Sequence, residues 1–458
     1  MAEHAVTVEA TLDALLESKK YSTLKDILIT MNPSDVASVF EEMEEERLPL
    51  LFRLLPKEQA AETFVEMDSD LQELLIHGFS DFELREVIDE LYVDDAVDLV
   101  EEMPANVVKR ILAQADPEMR KEINEILRYP ENSAGSIMTT EYVSLRPSMT
   151  VEEAITRIRR TGVDKETIYT CYVTKDRKLM GFVTVKGLLL EQDANTTVSE
   201  IMDENVISVS TYADQEEVAH MLSKYNFLAL PVVDSDERMV GIVTFDDAMD
   251  VMEDEATEDI EIMAAMKPSE KAYLRSSPFA IFAQRIPWLL LLMVSATFTQ
   301  MIITKFESAL AAQAVLTAFI PMLMGTGGNS GSQASVSVIR ALSLGELEFR
   351  DLPLVVWKEI RTAVLCSIAL AVVCFGKMIL LDRMLLGNTD ISVLVAMVVC
   401  LAMSVTVFLA KFVGCTLPLL AKKIGFDPAV MASPFITTIM DSLSLLVYFK
   451  IATVLLFK

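Results

Sequence analysis

The stretch PFITTIMDSLSLLVYFKIATVLLF, residues 434–457, is apolar and long enough to cross a bilayer as one helix. Asp441 is its only acid, and Lys450 is its only base. A carboxylate at membrane depth is costly, so it usually faces water or a partner and marks a transport path. The alternative is a structural ion pair between Asp441 and an Arg or Lys of a neighbouring helix.

Helical spacing gives this segment two different faces. The polar face is made of Ser433, Thr437, Asp441 and Ser444. The other face is made of Phe435, Ile439, Leu443 and Leu446. We therefore expect one side to suit water and cations and the other to suit lipid or packed helices.

Four further apolar segments precede this one, at about 286–304, 309–342, 364–381 and 391–420. The second and fourth connections between the five segments carry most of the basic residues, namely Arg340, Arg350, Lys358, Arg361, Lys422 and Lys423. The positive-inside rule places these connections in the cytosol. The sequence therefore predicts five spans, a cytosolic N-terminus and an external C-terminus.

The segment GTGGNSGSQ, residues 325–333, interrupts the second of these spans with glycines. It resembles a phosphate-binding loop only superficially, because no Lys-Ser/Thr pair follows. Glycine permits either an unwound backbone or close contact between helices. Asn329, Ser332 and Gln333 either line a wet cavity or simply pack there.

The front of the chain is strongly acidic. The chain has 68 acids and 39 bases; nine and thirteen of them lie in 281–458, which leaves 59 and 26 for 1–280. This balance argues against nucleic acid as a partner and suits cations. The five cysteines and three histidines form no disulfide framework or zinc motif. The polar N-terminus lacks the apolar core of a signal peptide, so we expect the front half to stay in the cytosol.

Residues 1–130 repeat a short helical unit. DVASVFEEM (35–43), QAAETFVEM (59–67) and DAVDLVEEM (95–103) share small residues and an acidic end with Met. Prolines stand near the expected helix starts, at Pro33, Pro56, Pro104 and Pro117. The pattern predicts an all-α, superhelical N domain.

Residues 131–250 contain a tandem repeat with an offset of about 60 residues. IMTTEYVSLRPSMTVEEAI (137–155) matches IMDENVISVSTYADQEEVAHML (201–222), and YVTKDRKLMGFVTVKGLL (172–189) matches PVVDSDERMVGIVTFDDAM (231–249). Each copy is β-α-β-β-α in outline. The repeat resembles a pair of CBS domains, at 131–198 and 199–250.

The CBS resemblance implies a sensor of adenine nucleotides or ions. In that family, an acid three residues after the Ser or Thr of the last strand holds a ribose. Thr244 is followed by Asp247, which fits, whereas Thr184 is followed by Gly187, which does not. The resemblance therefore implies one ATP site at Asp247; the alternative is a purely structural pair.

The segment TFDDAMDVMEDEATEDIEI, residues 244–262, carries nine acids and no base. Such runs are usually solvated or disordered, since like charges one helical turn apart repel each other. Its position between the CBS pair and the first span instead favours a connecting helix over 251–276. Oxygen ligands without His or Cys favour Mg²⁺ or Ca²⁺ over transition metals.

PMLMGTGGNSGSQASVSVIRALSLGEL (321–347) and GFDPAVMASPFITTIMDSLSLLVYFKIA (425–452) resemble the signatures of the MgtE family of magnesium channels and transporters. The order of domains is similar across almost the whole chain, with the five-helix transmembrane domain at 277–458. The resemblance implies a homodimer with a pore between subunits, Asp441 as the selectivity carboxylate, and Ser433, Thr437, Gly328 and Asn329 along the pore. Two residues depart from the family pattern: Ser433 replaces a common Asn, and Thr437 replaces a common Ala.

The resemblance also implies that Mg²⁺ bound to cytosolic acids closes the pore. Asp427 would lie at the cytosolic mouth beneath the connecting helix. The implied regulatory ligands are Asp94, Asp95, Asp98, Asp214, Glu216, Asp247, Asp250, Glu255, Glu258 and Asp259.

We therefore expect a Mg²⁺ channel or transporter of the cell membrane, and not an enzyme, since no nucleophile–base pairing or cofactor loop stands out. One alternative is a transporter of another divalent cation such as Co²⁺. The other is a CBS-type membrane sensor that transports nothing.

Overall fold

The computed structural model describes residues 11–269, 273 and 276–456 of the chain. The chain divides into two compact units, with the boundary between Met252 and Glu253. The first unit contains short helices and two small sheets, and the second contains long helices.

Within the described residues, the first unit begins with ten short helices, which confirms the helical N domain. They are α1 (11–17), α2 (Tyr21–Thr30), α3 (Pro33–Glu42), α4 (Leu48–Phe52), α5 (Lys57–Val65), α6 (Ser69–Gly78), α7 (Asp81–Ile88), α8 (Val93–Glu102), α9 (Ala105–Gln114) and α10 (Pro117–Ile126). Pro33 and Pro117 occupy first helical turns, and Pro56 and Pro104 stand directly before α5 and α9. Proline suits these positions because the first backbone N–H groups of a helix have no partner inside it.

The core of the N domain is continuous with the second CBS domain. Apolar side chains from Leu12 to Ile126 form one buried cluster, which also includes Val218, Leu222 and Val243 of the second repeat. Each large apolar side chain that is fully buried contributes about 1.5–3 kcal/mol to stability. The helices and this repeat are therefore held together as one body.

The two repeats have the β-α-β-β-α order that the sequence predicted. The first contains β1 (Tyr142–Leu145), α11 (Val151–Thr161), β2 (Thr167–Lys175), β3 (Lys178–Thr184) and α12 (Val185–Leu190). The second contains α13 (Val198–Ile201), β4 (Val209–Ser210), α14 (Gln215–Tyr225), β5 (Ala229–Val233), β6 (Met239–Thr244) and α15 (Phe245–Met263). In each three-stranded sheet the first pair of strands is parallel and the second pair is antiparallel.

The acidic run is helical, but its helix has other bounds than those predicted. Helix α15 begins at Phe245, immediately after β6, and ends at Met263 instead of continuing to residue 276. Ala265 adopts a left-handed φ of 55°, and the amide of Met266 donates to the carbonyl of Glu261 over 2.9 Å. This is the hydrogen bond of a Schellman-type helix end, and Pro268 follows it.

The second unit is built from long helices. In order they are α16 (Pro278–Lys305), α17 (Glu307–Ala312), α18 (Ile320–Ser343), α19 (Leu352–Gly376), α20 (Val393–Lys423) and α21 (Ser433–Leu456). Short 3-10 turns at Ala314–Phe319, Phe349–Asp351 and Pro428–Met431 precede α18, α19 and α21, and α19 continues as a π-helix over Lys377–Leu385.

In the part of the chain that the structure describes, four helical segments are long and apolar enough to cross a membrane. They are Pro278–Lys305, Phe349–Leu385, Val393–Lys423 and Pro428–Leu456. The remaining predicted span, at 309–342, is divided among α17, a 3-10 turn and α18, and the Gly, Ser and Thr residues of α18 make it less apolar. Helix α18 nevertheless packs against both α20 and α21.

The prediction that the glycine segment could unwind the backbone is wrong. Helix α18 passes through residues 325–333 without interruption. An α-helix satisfies every backbone hydrogen bond inside a membrane, and an unwound segment does not. The glycines serve the predicted alternative, close contact: Gly331 lies against α21 and against the backbone of α20, where Gly414 faces it.

Candidate ion-binding sites

Asp441 lies on α21 but not on its packed face. The buried positions of this helix are Ile436, Met440, Ser444 and Tyr448 with their neighbours. Asp441 is half-buried, and within the described residues its carboxylate forms no hydrogen bond or ion pair. The structural ion pair that was the alternative for this carboxylate is therefore not formed among the residues that the structure describes.

Ser444 was expected on the same polar face as Thr437 and Asp441, and it lies on the side of α21 that contacts α18. Ser444 is fully buried, and a Cβ added at Gly327 of α18 would lie 2.5 Å from its Oγ. Three residues are 300° of rotation on a helix, so Ser444 stands only 60° from Asp441 around α21, and Thr437 and Ser444 both contact glycines of α18.

The residues expected along the pore share no single environment. Thr437 packs its methyl group against Gly328, where an added Cβ would stand 2.9 Å away, and its hydroxyl donates to the Pro434 carbonyl over 3.0 Å. Asn329 is exposed. Ser433 is the first residue of α21 and is half-buried.

One pair of opposite charges lies between the membrane helices α19 and α20. The Lys411 ammonium stands 3.6 Å from Oε2 of Glu359, and the two side chains are 8% and 17% exposed. Ionisable residues inside membrane helices pair in this way because an isolated charge there is costly. The sequence analysis did not predict an ion pair between these two residues.

Asp427 lies close to the end of α15, where its charge acts on Glu258 and Asp259. Burial first, and then repulsion from neighbouring acids including Asp427, raises the pKa of Glu258. Burial and repulsion from Asp427 also raise the pKa of Asp259, whose carboxylate accepts a hydrogen bond of 3.1 Å from Ser343. The last residues of α15, Ile262 and Met263, pack against Ile339, Ala429 and Ala432.

The first unit contains an acid cluster, which we define as Asp94, Asp95, Glu141, Glu166 and Asp247. Asp94 is only 7% exposed, and within the described residues its Oδ1 has no hydrogen-bond partner. Burial, with added repulsion from Asp247 and Asp95, raises the pKa of Asp94 well above its usual range. Burial and repulsion from Asp247 raise the pKa of Asp95 to about 7.

The same forces act on the other members of the acid cluster. Burial and repulsion from Asp247 raise the pKa of Glu166 to about 8. Burial raises the pKa of Asp247 to about 6, although the Thr244 hydroxyl donates a hydrogen bond to its carboxylate. Several carboxylates held this close repel one another, and a divalent cation would relieve that repulsion.

The sequence predicted some members of the acid cluster and missed others. Asp94, Asp95 and Asp247 were expected. Glu141 and Glu166 were not, because each comes directly before a strand of the first repeat and carries no motif. The amide of Glu166 donates to the Glu141 carbonyl over 3.0 Å, and the Glu141 carboxylate accepts from the Val93 amide over 3.2 Å.

The other predicted ligands are not all separate from this set. Asp98 is exposed as a residue on α8, but burial of its carboxyl and repulsion from Asp247 and Asp95 raise its pKa to about 7, so it borders the acid cluster. Asp214 caps α14 by accepting from the Glu216 amide over 2.9 Å, and Glu216 lies 3.6 Å from His220. Asp250 and Glu255 are part of α15. Across residues 11–269, 273 and 276–456, no three His, Cys, Asp or Glu side chains converge closely enough to hold an ion.

The expected ribose ligand Asp247 does not line the cavity between the two repeats. That cavity holds about 50 Å³ and is lined by residues including Tyr172, Phe182, Phe227 and Pro231. Ligand pockets usually hold about 300–1,000 Å³. A nucleotide would therefore need this cavity to open.

The chain matches known families along most of its length. Residues 320–451 match a family described as divalent cation transporter, residues 31–132 match the MgtE intracellular N domain, and residues 134–193 and 198–254 match CBS domains. The magnesium transporter MgtE of Thermus thermophilus is 36% identical over 97% of this chain and 98% of its own length. That of Bacillus subtilis is 31% identical over 96% and 95%.

Two solved structures resemble the first part of the chain. One is the cytosolic domain of the Mg²⁺ channel MgtE in complex with ATP, with 37% identity, a TM-score of 0.51 and coverage of 53% of this chain and 99% of that chain. The other is the soluble part of a magnesium transporter, with 30% identity, a TM-score of 0.51 and coverage of 55% and 99%. The chain is a membrane protein that belongs to the MgtE family of magnesium transporters.

Proposed function

We propose that the protein conducts Mg²⁺ into the cell and that Asp441 is the carboxylate that ions meet in the pore. The position of Asp441 supports this: it lies on a membrane helix, half-buried and without a protein partner in the described chain. A charge in that position needs water or a cation. Since Mg²⁺ releases its waters reluctantly, the carboxylate would hold a hydrated ion through those waters.

A homodimer follows from the same argument. One Asp441 per subunit, facing the other across the subunit interface, would give two carboxylates for one divalent ion. Thr437 and Gly328 would then lie next to this site, because Thr437 is one turn before Asp441 and packs on Gly328. Ser433 and Asn329 would complete the pore lining.

Closure by cytosolic Mg²⁺ is the regulatory part of the proposal. Burial first, and then mutual repulsion, raises the pKa values of Asp94, Asp95, Glu166 and Asp247, and a bound divalent ion would relieve the repulsion. Asp427, Glu258 and Asp259 form a second set of carboxylates that repel one another. Ions bound there would hold α15 against the start of α21; the further regulatory ligands would be Asp98, Asp214, Glu216, Asp250 and Glu255.

The basic second and fourth connections support a cytosolic N-terminus and an external C-terminus. One solved relative is a complex with ATP, which supports ATP as a second regulator. A ribose contact to Asp247 would require the cavity near Tyr172 to open toward it.

Uptake of Mg²⁺ into proteoliposomes that contain the purified protein tests the proposal. Asp441→Ala should abolish uptake, and Asp441→Asn should lose most of it. Asp390→Asn, which changes an exposed loop acid, is the control and should transport as the wild type does. Wild-type uptake by Asp441→Ala would disprove the role of Asp441.

The same vesicles separate the alternatives. Uptake of Co²⁺ without uptake of Mg²⁺ would indicate a transporter of another divalent cation. No uptake of either ion by the folded wild type would indicate a CBS-type membrane sensor.

A further inference from the structure

A second cavity of the first unit has the opposite charge to its surroundings. It holds about 560 Å³ beside the edge strand β1, and α10 and α11 border it. Four basic residues line it, namely Lys121, Arg157, Lys165 and Arg177, against two acids, Glu122 and Glu125. Residues 1–280 contain more than twice as many acids as bases, so this excess of basic side chains is unusual for the unit.

The basic side chains of this cavity are largely free of acidic partners. In the described part of the chain, Arg157, Lys165 and Arg177 form no ion pair, while Lys121 lies 3.6 Å from Glu125. Lys165 nevertheless lies close enough to Glu122 and Glu141 to favour their charged forms, so Arg157 and Arg177 are the basic groups with the least acidic competition. Nε of Arg157 donates to the Ser144 carbonyl over 2.8 Å, which fixes the guanidinium at the cavity wall. Its remaining N–H groups can donate to a ligand.

The rest of the lining suits a small polar molecule with a flat or cyclic part. Tyr129 and Tyr142 contribute rings, and Thr140, Ser144 and Thr161 contribute hydroxyls. The volume lies within the usual range for small-molecule sites. Planar guanidinium groups match the oxygen geometry of phosphate, and they bind it best where no carboxylate competes.

We propose that this cavity binds a small organic phosphate, whose phosphate group is held by Arg157 and Lys165 with Arg177 beside them. A cation is a poor match because basic residues outnumber acids there, and an apolar ligand is a poor match because the lining is polar. The site differs from the small cavity near Tyr172 and Phe227, since the two cavities share no wall residue. The proposal does not depend on the conduction mechanism.

Calorimetric titration of the full-length protein tests this site. The protein is purified in detergent and kept in a chelator without divalent ions, so that the acid cluster holds no metal. Ribose 5-phosphate is the first probe and inorganic pyrophosphate the second. We expect saturable binding of ribose 5-phosphate that becomes about 10-fold to 100-fold weaker in Arg157→Ala/Lys165→Ala, because charged hydrogen bonds are lost.

Arg159→Ala is the matched control. Arg159 lies on α11 with Arg157, is exposed and does not line this cavity, so Arg159→Ala should leave affinity unchanged. If the double variant does not fold, Arg177→Ala replaces it, since Arg177 is exposed at a turn. Absence of binding by the wild type, equal affinity in the variants, or binding of pyrophosphate alone would each overturn the assignment to an organic phosphate.

Discussion

Gly414 of α20 lies against the backbone of Gly331 in α18: a Cβ added at Gly414 would overlap the carbonyl oxygen of Gly331 and stand 3.0 Å from its carbonyl carbon. The two helices can therefore approach this closely only if residue 414 has no side chain. The contact joins the glycine-rich helix to the most buried of the apolar spans.

Gly414→Ala should destabilise the membrane unit. The added methyl meets rigid backbone, so the helices must move apart, and overpacking of this kind costs about 1–3 kcal/mol. Thermal unfolding of the purified protein in detergent measures the effect. Gly325→Ala, in the same helix as Gly331 but away from this contact, is the control: nothing lies within 4 Å of its added Cβ, and Ala favours a helix over Gly by about 1 kcal/mol. Equal melting temperatures for the two variants would contradict the role of the contact.

The sequence predicted the fold where local patterns determine it. The alternation and offset of 131–250 predicted two β-α-β-β-α units, and the prolines at or directly before the first residues of α3, α5, α9 and α10 marked helix starts. It could not decide between unwinding and close packing at residues 325–333. That choice depends on Gly414, which is more than 80 positions away in sequence and lies in a different helix.

The candidate sites show the same limit. Asp441 could be identified from its sequence because it is the only acid of its segment. Glu166 could not, because its membership in the acid cluster depends on the packing of the first repeat against α8 and the start of α15. Lys165, which precedes Glu166 in sequence, lines the cavity beside β1. Two adjacent residues therefore belong to sites of opposite charge.

The Glu359–Lys411 pair should show strong coupling. Lys411→Met leaves Glu359 unpaired between helices, and Glu359→Gln leaves Lys411 unpaired; each should destabilise the protein by about 3–5 kcal/mol. The double variant removes both charges and should be more stable than either single variant. Thermal unfolding of the four proteins gives the coupling energy. Additive effects of the two substitutions would show that the pair contributes nothing.

The acid cluster predicts that stability falls as pH rises when no divalent ion is present. Asp95, Glu166 and Asp247 have folded-state pKa values of about 7, 8 and 6, above the ordinary values of unfolded carboxyls. The folded protein therefore binds more protons than the unfolded chain between about pH 4 and pH 8. Stability is greatest below this window and is lost as pH rises through it, by about 1.4 kcal/mol per pH unit for each proton.

Melting temperatures at pH 5, 6, 7 and 8 in a chelator measure this slope. Asp94→Asn/Asp247→Asn should flatten it, and so should millimolar Mg²⁺, because both remove the repulsion. Glu44→Gln/Glu118→Gln, which changes two exposed acids of the N domain, should not. A melting temperature that rises between pH 6 and pH 8 in the chelator would contradict the raised pKa values.

The last prediction concerns gating and rests on the acids around the end of α15. Without divalent ions, Glu258, Asp259 and Asp427 repel one another, and each bound Mg²⁺ favours the closed arrangement only through its higher affinity for that state. Several weak sites therefore give a steep response to cytosolic Mg²⁺. Proteolytic cleavage within 100–136 or 250–276 should be suppressed as Mg²⁺ rises, in parallel with the loss of flux. Neutralising Asp250, Glu255, Glu258 and Asp259 together should move both transitions to a different Mg²⁺ concentration, whereas Asp390→Asn should move neither. Cleavage and flux that ignore both Mg²⁺ and the four substitutions would disprove the gating mechanism.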